Sequence, residues 1–160
     1  MIISYLGGGD FKIKTLTSVV QLSDGVVDIN GFTIKNPGEY ERKNVFVESP
    51  IKKPVFRIQI EDVSILYIGK TKSFTGSEIE TLDGVDVFLL PCGNDDSMPL
   101  KEALNLSSTL DPSIIIPMYY SSVDQLKKEG VDGEIVKNVK ISKSTLPQEG
   151  SEVIILEEVK

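Results

Sequence analysis

The sequence of 160 residues contains no histidine and a single cysteine, Cys92. One cysteine excludes an intrachain disulfide and a zinc site built from several thiolates, and without histidine no imidazole can act as metal ligand or general base. Long hydrophobic runs are also missing, since none approaches the roughly 20 residues that a membrane-spanning helix needs. The N-terminus has no basic segment followed by an apolar one, so we expect no signal peptide and a reduced, cytoplasmic setting.

Acidic residues are in excess, with 24 Asp and Glu against 17 Lys and Arg, which gives a net charge of −7. Nucleic acids and anionic membrane surfaces are polyanions, so neither is an expected partner. Hydrophobic residues make up 40% of the chain, as in ordinary globular proteins, and this length buries roughly two-thirds of the unfolded surface. No linker or internal repeat is visible, and we therefore predict a single domain over residues 1–160.

Short strands dominate the first 68 residues. The β-rich runs cover residues 2–6, 11–14, 18–22, 32–34, 45–47, 55–60 and 63–68. Asp24-Gly25 and Asn30-Gly31 are typical of hairpin turns, because these residues tolerate positive φ. Asn36-Pro37-Gly38 is typical of a type II turn, with proline at its first centre and glycine at its second.

Helices enter in the second half. Residues 99–110 place Leu100, Ala103 and Leu104 on one face, behind Asp96 or Ser97 as the N-cap. Residues 75–82 and 123–129 are shorter helix candidates, and residues 114–120, 139–141 and 152–156 are further strands. Residues 85–90 are so continuously apolar that we expect a strand covered on both faces. This order predicts an α/β protein with two β-sheets packed face to face and helices on the outside. An open α/β sheet is the alternative, which the early hairpin turns disfavour.

The order of these segments resembles the metallo-β-lactamase fold, in particular its small zinc-dependent hydrolases related to the L-ascorbate-6-phosphate lactonase group. Four stretches carry the resemblance: residues 3–13 with a glycine loop between two strands, 32–41 with Pro-Gly-Glu-Tyr-Glu, 65–71 with a strand ending in Gly-Lys-Thr, and 87–120 with Leu-Pro-Cys-Gly, a helix and Ile-Pro-Met-Tyr-Tyr. The resemblance spans nearly the whole chain. It implies the two-sheet sandwich in a shortened form, a zinc site where strands run into loops, and hydrolase activity.

Every position at which the resemblance places a metal ligand departs from the family pattern. Gly8 stands for the opening-loop histidine, Lys70 for the bridging aspartate and Tyr119 for the histidine after the last of these strands. The family's Thr-His-x-His-x-Asp-His loop has no counterpart between residues 14 and 32. An ammonium repels a cation and a neutral phenol is a weak ligand, so we predict no metal, no cofactor and no catalytic residue. With Asp10 of the opening loop, these residues define what we call the vestigial cleft: Gly8, Asp10, Lys70 and Tyr119.

Two of the cleft residues admit more than one interpretation. Lys70 could occupy the space of the missing cation and pair with a carboxylate such as Asp10, or it could be a solvated loop lysine. Tyr119 and Tyr120 could form a platform that stacks on a ligand, or they could be packing residues.

Other polar residues have weaker alternatives. Asn94-Asp95-Asp96 could bind Ca²⁺ or Mg²⁺ or serve as helix caps. Cys92 could be a nucleophile, but it lacks a histidine base and is better explained as a small buried residue. Glu39 and Glu41 point the same way in an extended segment and could act as an acid–base pair, whereas the resemblance implies a structural turn.

The sequence thus predicts a degenerate metallo-β-lactamase-fold protein without the metal site, acting as a non-catalytic binding or structural protein. A homo-oligomer is one way to cover strand edges or apolar surface that the missing loop would leave exposed. The alternative is a hydrolase of a phosphorylated or lactone-like small molecule with an atypical site, in which Asp10, Asp95 or Glu39 would do the acid–base work.

Overall fold

Two β-sheets pack face to face in the computed structural model, which describes residues 1–159 and leaves Lys160 outside the described residues. The strands, in chain order, are β1 (Ile2–Gly7), β2 (Asp10–Lys14), β3 (Val19–Ser23), β4 (Val26–Ile29), β5 (Phe32–Ile34), β6 (Gly38–Arg42), β7 (Val45–Ser49), β8 (Val55–Ile60), β9 (Val63–Ile68), β10 (Val87–Pro91), β11 (Ile114–Met118), β12 (Glu134–Val136), β13 (Asn138–Lys140) and β14 (Glu152–Leu156). The helices are α1 (Gly76–Glu80), α2 (Leu100–Leu110) and α3 (Val123–Lys128), with a 3₁₀ turn at Lys143–Thr145.

The first sheet has six strands in the order β13-β1-β2-β3-β4-β5, and all of its pairs are antiparallel. Hairpins connect β1 through β5, and three of the four turns contain residues with positive φ, such as Asp24 and Gly25 between β3 and β4. The strands alternate, so that β2 buries Phe11 and Ile13 completely. One face of this sheet therefore enters the core between the sheets.

The second sheet has eight strands in the order β12-β14-β11-β10-β9-β8-β7-β6. Strands β6 to β9 pair antiparallel, whereas β9, β10, β11, β14 and β12 are parallel neighbours. Every residue of β10 and of β11 is buried. Parallel strands covered on both faces are continuously apolar, so the expectation of a doubly covered strand at residues 85–90 is confirmed.

A second hydrophobic cluster fills the space between the eight-stranded sheet and the helices. It joins Leu66, Phe88 and Leu90 of the sheet to Ala103 and Leu106 of α2. The apolar residues of α1 and α3 pack against the same cluster. The predicted sandwich with external helices is confirmed. Within residues 1–159, the helices cover the eight-stranded sheet and not the six-stranded one. No helix in that range is long and apolar enough to cross a membrane.

Two local predictions need correction. The N-cap of α2 is Pro99, which makes no side-chain cap hydrogen bond, rather than Asp96 or Ser97. The Ser97 hydroxyl instead accepts a hydrogen bond from the backbone N–H of Gly93 at 3.1 Å. The Pro-Gly-Glu-Tyr-Glu segment is not simply a turn, because from Gly38 onward it forms β6 and pairs with β7.

Candidate functional site

The vestigial cleft lies where the β1–β2 turn meets the ends of β9 and β11. Gly8 has a φ of 56° in that turn. Its carbonyl accepts a hydrogen bond from the backbone N–H of Tyr119 at 2.9 Å, and a second from the Tyr5 hydroxyl at 2.8 Å. The fold therefore brings together two of the positions that the sequence singled out, although they are more than a hundred residues apart.

Tyr119 fills the interior of this cleft. It is 2% exposed and has a φ of 55°, in the left-handed region that residues with a Cβ seldom adopt. Its ring lies directly over the backbone of Gly9, where an added Cβ would collide with the ring carbons and the hydroxyl oxygen. The glycine at position 9 is needed because the aromatic ring takes the space beside it. A buried ring cannot stack on a ligand, so Tyr119 serves for packing rather than as half of a binding platform.

Tyr120, the other half of that hypothesis, also packs against the protein. Its ring stacks on Tyr5 at 5.7 Å between ring centroids. Its hydroxyl donates to the backbone carbonyl of Leu156 at 3.1 Å.

Tyr67 of β9 is a cleft residue that sequence analysis missed. Its hydroxyl donates to the carbonyl of Gly9 at 2.8 Å and accepts from the backbone N–H of Gly25 at 3.3 Å. The side chain thus connects the eight-stranded sheet to two turns of the six-stranded sheet. The hydroxyl of Tyr119 makes no hydrogen bond of ordinary geometry within residues 1–159, although it lies close enough to the Tyr67 hydroxyl for each group to affect the pKa of the other. No sequence signal marked Tyr67, since it lies within an apolar strand and its partners are distant in sequence.

The turn between β3 and β4 closes the cleft from the side. A Cβ on Gly69 would lie 2.8 Å from the Cα of Gly25, so the two backbones are in direct contact there. Lys70 follows, and its ammonium lies 3.9 Å from a carboxylate oxygen of Asp24. The suggested pairing of Lys70 with Asp10 is therefore wrong, because the hairpin places Asp24 nearer. Lys70 and Asp24 are 48% and 75% exposed, which makes this a weak surface pair.

Burial keeps the phenols of the cleft neutral. It is the main cause that raises the pKa of Tyr119 to about 12, and the negative charges of Asp24, Asp10 and Asp95 act in the same direction. Burial likewise raises the pKa of Tyr67 and of Tyr5 above the ordinary range. At neutral pH these hydroxyls are hydrogen-bond donors and acceptors and carry no negative charge for a cation.

The loop after β10 has a structural explanation. The Asn94 side chain donates to the carbonyl of Tyr119 at 2.8 Å and to the Gln125 side chain at 3.3 Å. Asp95 and Asp96 follow with φ values of 55° and 62°, as in a tight turn, and Asp96 lies 3.9 Å from the ammonium of Lys72. The segment fixes the end of β11 beside the start of α3, and neither aspartate caps α2.

Cys92 is buried, and its thiol contacts the carbonyl of Leu90 at 3.5 Å. Burial raises the pKa of this thiol to about 12, so the reactive thiolate is scarce at neutral pH. The geometry agrees with the interpretation of Cys92 as a small core residue.

Glu39 and Glu41 lie on β6, the edge strand of the eight-stranded sheet. They share one face of that strand, as the extended segment predicts. β6 is three strands from β9, a distance of roughly 14 Å at the usual strand spacing. These carboxylates therefore do not converge with the vestigial cleft.

The residues of the cleft do not fit the zinc ion that the resemblance implies. Zn²⁺ takes nitrogen, sulfur or carboxylate ligands, with at least three from the protein in its usual sites. Gly8 offers no side chain, Lys70 offers a positive charge and Tyr119 offers a buried neutral phenol. Within residues 1–159, no three His, Cys, Asp or Glu side chains are grouped so that they could hold one ion.

Comparison with known proteins identifies a family for this chain. The family model described as the beta-lactamase superfamily domain matches residues 9–119. A UPF0173 metal-dependent hydrolase from Staphylothermus marinus is 37% identical over 97 residues, which are 60% of this chain and 39% of that protein. A UPF0173 metal-dependent hydrolase from Methanosarcina barkeri is 36% identical over 75 residues, which are 46% of this chain and 33% of that protein. The chain thus spans well under half the length of these curated relatives.

Solved structures show the same fold. A Thermotoga maritima protein classed with the Zn-dependent hydrolases of the metallo-β-lactamase superfamily superposes with a TM-score of 0.77 at 20% identity, over 97% of this chain and 98% of that one. Igni18, a metallo hydrolase from Ignicoccus hospitalis, superposes with a TM-score of 0.57 at 13% identity, over 99% of this chain and 96% of that one. At such identities the similarity concerns the fold alone. The match to the family model covers more than half of the chain, and this protein therefore belongs to the β-lactamase superfamily, with the metallo-β-lactamase fold.

Proposed function

We propose that this protein is a member of the superfamily that has exchanged the metal site for a packed tyrosine, and that it works as a non-catalytic binding or structural protein. The observation that carries the proposal is the side chain of Tyr119. At a position where the resemblance places a ligand, this ring is buried over Gly9.

The neighbouring positions support the proposal. Lys70 brings a positive charge to the rim of the cleft, where it interacts with Asp24. The Tyr67 hydroxyl ties the backbone of Gly9 to that of Gly25, so the turns around the ring are held by hydrogen bonds. The ring of Tyr119 thus takes the space over Gly9, and the pocket of about 430 Å³ that Gly8 lines opens beside Tyr5 and Tyr120 instead.

Elemental analysis of the purified protein, produced with zinc, manganese and iron in the medium, tests the proposal. We expect far less than one equivalent of any transition metal after gel filtration. One equivalent of bound zinc, manganese or iron in the wild-type chain would contradict the proposal.

A variant with restored ligands is the matched control. Gly8→His, Lys70→Asp and Tyr119→His together supply three zinc ligands at the three positions. A Cβ at Gly8 meets no atom within 4 Å, so the histidine has space there, at the cost of some backbone strain from the φ of 56°. We expect zinc to raise the melting temperature of this variant and to leave that of the wild type unchanged. Equal shifts in the two proteins would show that the zinc binds elsewhere.

A hydrolase is the second candidate, and the printed names of the relatives favour it, because these are metal-dependent hydrolases. In this chain the acid–base work would fall to Asp10 and Asp95, whose charges both act on the hydroxyl of Tyr119. The substrate class would be a phosphorylated or lactone-like small molecule.

Turnover assays separate the two candidates. p-Nitrophenyl phosphate and a simple lactone represent the two substrate classes, and each is assayed with and without EDTA. We expect no turnover above that of buffer. Turnover that disappears in Asp10→Asn or Asp95→Asn, while the protein stays folded, would establish the hydrolase instead.

A further inference from the structure

A surface groove lies at the end of the sandwich away from the vestigial cleft. The turn that follows β2 and the turn that precedes β9 meet there, whereas Asp10 and Lys70 lie at the other ends of those two strands. The groove has a volume of about 600 Å³. We call it the Leu16 groove, and the lining residues that matter are Leu16, Lys43, Phe46, Ile60, Glu61 and Asp62.

Leu16 projects entirely into solvent beside this groove, with a relative exposure of 104%. Its turn is not loose. The Thr15 hydroxyl accepts from the backbone N–H groups of Thr17 at 3.2 Å and Ser18 at 3.0 Å, and the N–H of Thr15 donates to the carbonyl of Ser18 at 3.0 Å. The backbone of the turn is thus fixed by hydrogen bonds and presents a large apolar side chain to solvent, where it gains nothing from its own core.

Most residues that line the groove are polar, and Phe46 gives it one exposed apolar surface besides Leu16. Phe46 lines it with 37% of its surface exposed, and Ile60 lines it from the core side with 1% exposed. An exposed leucine therefore lies next to an exposed aromatic surface on the same face of the molecule.

Charges of both signs flank the same groove. Lys43 and Asp62 occupy the tips of two adjacent hairpins, and neither is part of an ion pair within residues 1–159. Glu61 differs, because its carboxylate is held by the N-terminal ammonium at 2.8 Å. Lys43 and Asp62 are therefore the two free charges that a docking partner would meet here.

We infer that the Leu16 groove is the contact surface of a two-fold symmetric homodimer, in which Leu16 of each copy inserts into the groove of the other. A two-fold interface must be self-complementary, since the same patch serves both copies. This patch has a projecting leucine next to the exposed ring of Phe46, and it carries both a free cation and a free anion. Across a two-fold axis Lys43 of one copy can therefore meet Asp62 of the other. The inference names the partner behind the binding or structural role, and it does not depend on whether the cleft is catalytic.

Sedimentation velocity at tens of micromolar protein tests the dimer. We expect the wild type to sediment as a dimer of the 17.6-kDa chain. Leu16→Asp should raise the dimer dissociation constant by about tenfold or more, because a charge replaces the buried anchor. Leu16 makes no core contact within one copy, so circular dichroism and the melting temperature should stay unchanged. A wild type that is monomeric under these conditions overturns the inference.

Leu6→Asp is the matched control, because Leu6 is an exposed leucine on β1, 39% accessible, and does not line the groove. This variant should sediment like the wild type. A dimer that persists in Leu16→Asp, or one that is lost in Leu6→Asp while the chain stays folded, would place the interface elsewhere and overturn the inference.

A charge exchange tests the symmetry of the contact. Lys43→Glu and Asp62→Lys should each weaken the dimer, because each brings like charges together across the axis. The two substitutions combined should restore the dimer to near wild-type strength. A double variant whose dimer is weakened by the sum of the two single effects would overturn the two-fold arrangement.

Discussion

The two sheets bury their strands in different ways. In the eight-stranded sheet β10 and β11 are buried on both faces, because the face turned away from the other sheet lies beneath the helices. In the six-stranded sheet one face alone is buried. Strand β2 buries Phe11 and Ile13, while Lys12 and Lys14 lie on the outer face. The same core between the sheets is thus built from a continuously apolar sequence on one side and an alternating one on the other.

This difference shows that the two sheets depend on each other to different degrees. The eight-stranded sheet belongs to two hydrophobic clusters, one toward the other sheet and one toward the helices. The six-stranded sheet belongs to the first cluster alone. The stability of the six-stranded sheet therefore depends on what it shares with its neighbour, at the cleft and in the common core.

Substitutions of two leucines, one in each sheet, should show the largest difference between the two sheets. Leu90→Ala removes a side chain that is 0% exposed beneath the helices, whereas Leu6→Ala truncates one that is 39% exposed on the outer face of the six-stranded sheet. We expect losses in the free energy of unfolding of about 3 kcal/mol for Leu90→Ala and less than about 1 kcal/mol for Leu6→Ala. Urea denaturation measures both. Equal losses would mean that the outer face of the six-stranded sheet is covered in solution.

Alkaline pH should lower the free energy of unfolding through Tyr119, which lies at the junction between the sheets. Burial raises the pKa of Tyr119 from 10.0 to about 12, so its neutral form is favoured in the folded state. The resulting stability is fully present below pH 10 and is lost as the pH rises from 10 toward 12, because the unfolded chain releases the proton first. Each such phenol contributes a slope of about 1.4 kcal/mol per pH unit in that window. Unfolding titrations from pH 8 to pH 11.5 should show a shallower decline for Tyr119→Phe than for the wild type.

The two tyrosines of the cleft provide a finer test. Tyr67→Phe removes the hydrogen bonds to Gly9 and Gly25 that link the sheets, and should cost about 1 to 2 kcal/mol of unfolding free energy. Tyr119→Phe removes a buried hydroxyl that makes no hydrogen bond of ordinary geometry within residues 1–159, so its stability at pH 7 should stay within about 0.5 kcal/mol of the wild type. Thermal and urea unfolding of the two variants measure both changes. The reverse order would mean that Tyr119, rather than Tyr67, makes the bond that connects the sheets.

The smallest change in unfolding free energy is expected at the rim of the vestigial cleft. Lys70→Met removes an exposed ammonium that lies 3.9 Å from Asp24 across the two sheets. Such surface pairs contribute little, and the change in unfolding free energy should be below about 0.5 kcal/mol. Asp24→Asn is the partner control and should be equally mild. A loss above 1 kcal/mol in both variants would show that this pair is part of the connection between the sheets.

Much of the fold was predictable because it is local. Alternation at residues 55–60 predicts β8, and the continuous apolar run predicts β10. Ser122 caps α3 as expected, since the capping serine accepts the hydrogen bond of the Gln125 N–H within one turn. Other elements depend on partners far away in the sequence. The three residues of β12 form a strand because β14 pairs with them, and no local sequence pattern predicts that pairing.

The candidate site divides in the same way. Gly8, Lys70 and Tyr119 were identified from the sequence, because the resemblance assigns a role to each position. The partner of Lys70 was not, since Asp24 reaches it only when the β3–β4 hairpin folds onto Gly69. Tyr67 was missed for a similar reason, because 58 residues separate it from Gly9.

By itself, the sequence determined which ligand chemistry is available: a chain with no imidazole and one thiol leaves carboxylates as the main donors for a transition metal, and that is a property of its residues whatever its fold. It also determined the strand patterns that build a sandwich. The tertiary structure alone decided that the ring of Tyr119 takes the space over Gly9, and that every helix within residues 1–159 covers the same sheet. Those outcomes depend on which surfaces pack together, and packing joins residues whose distance along the chain carries no local signal.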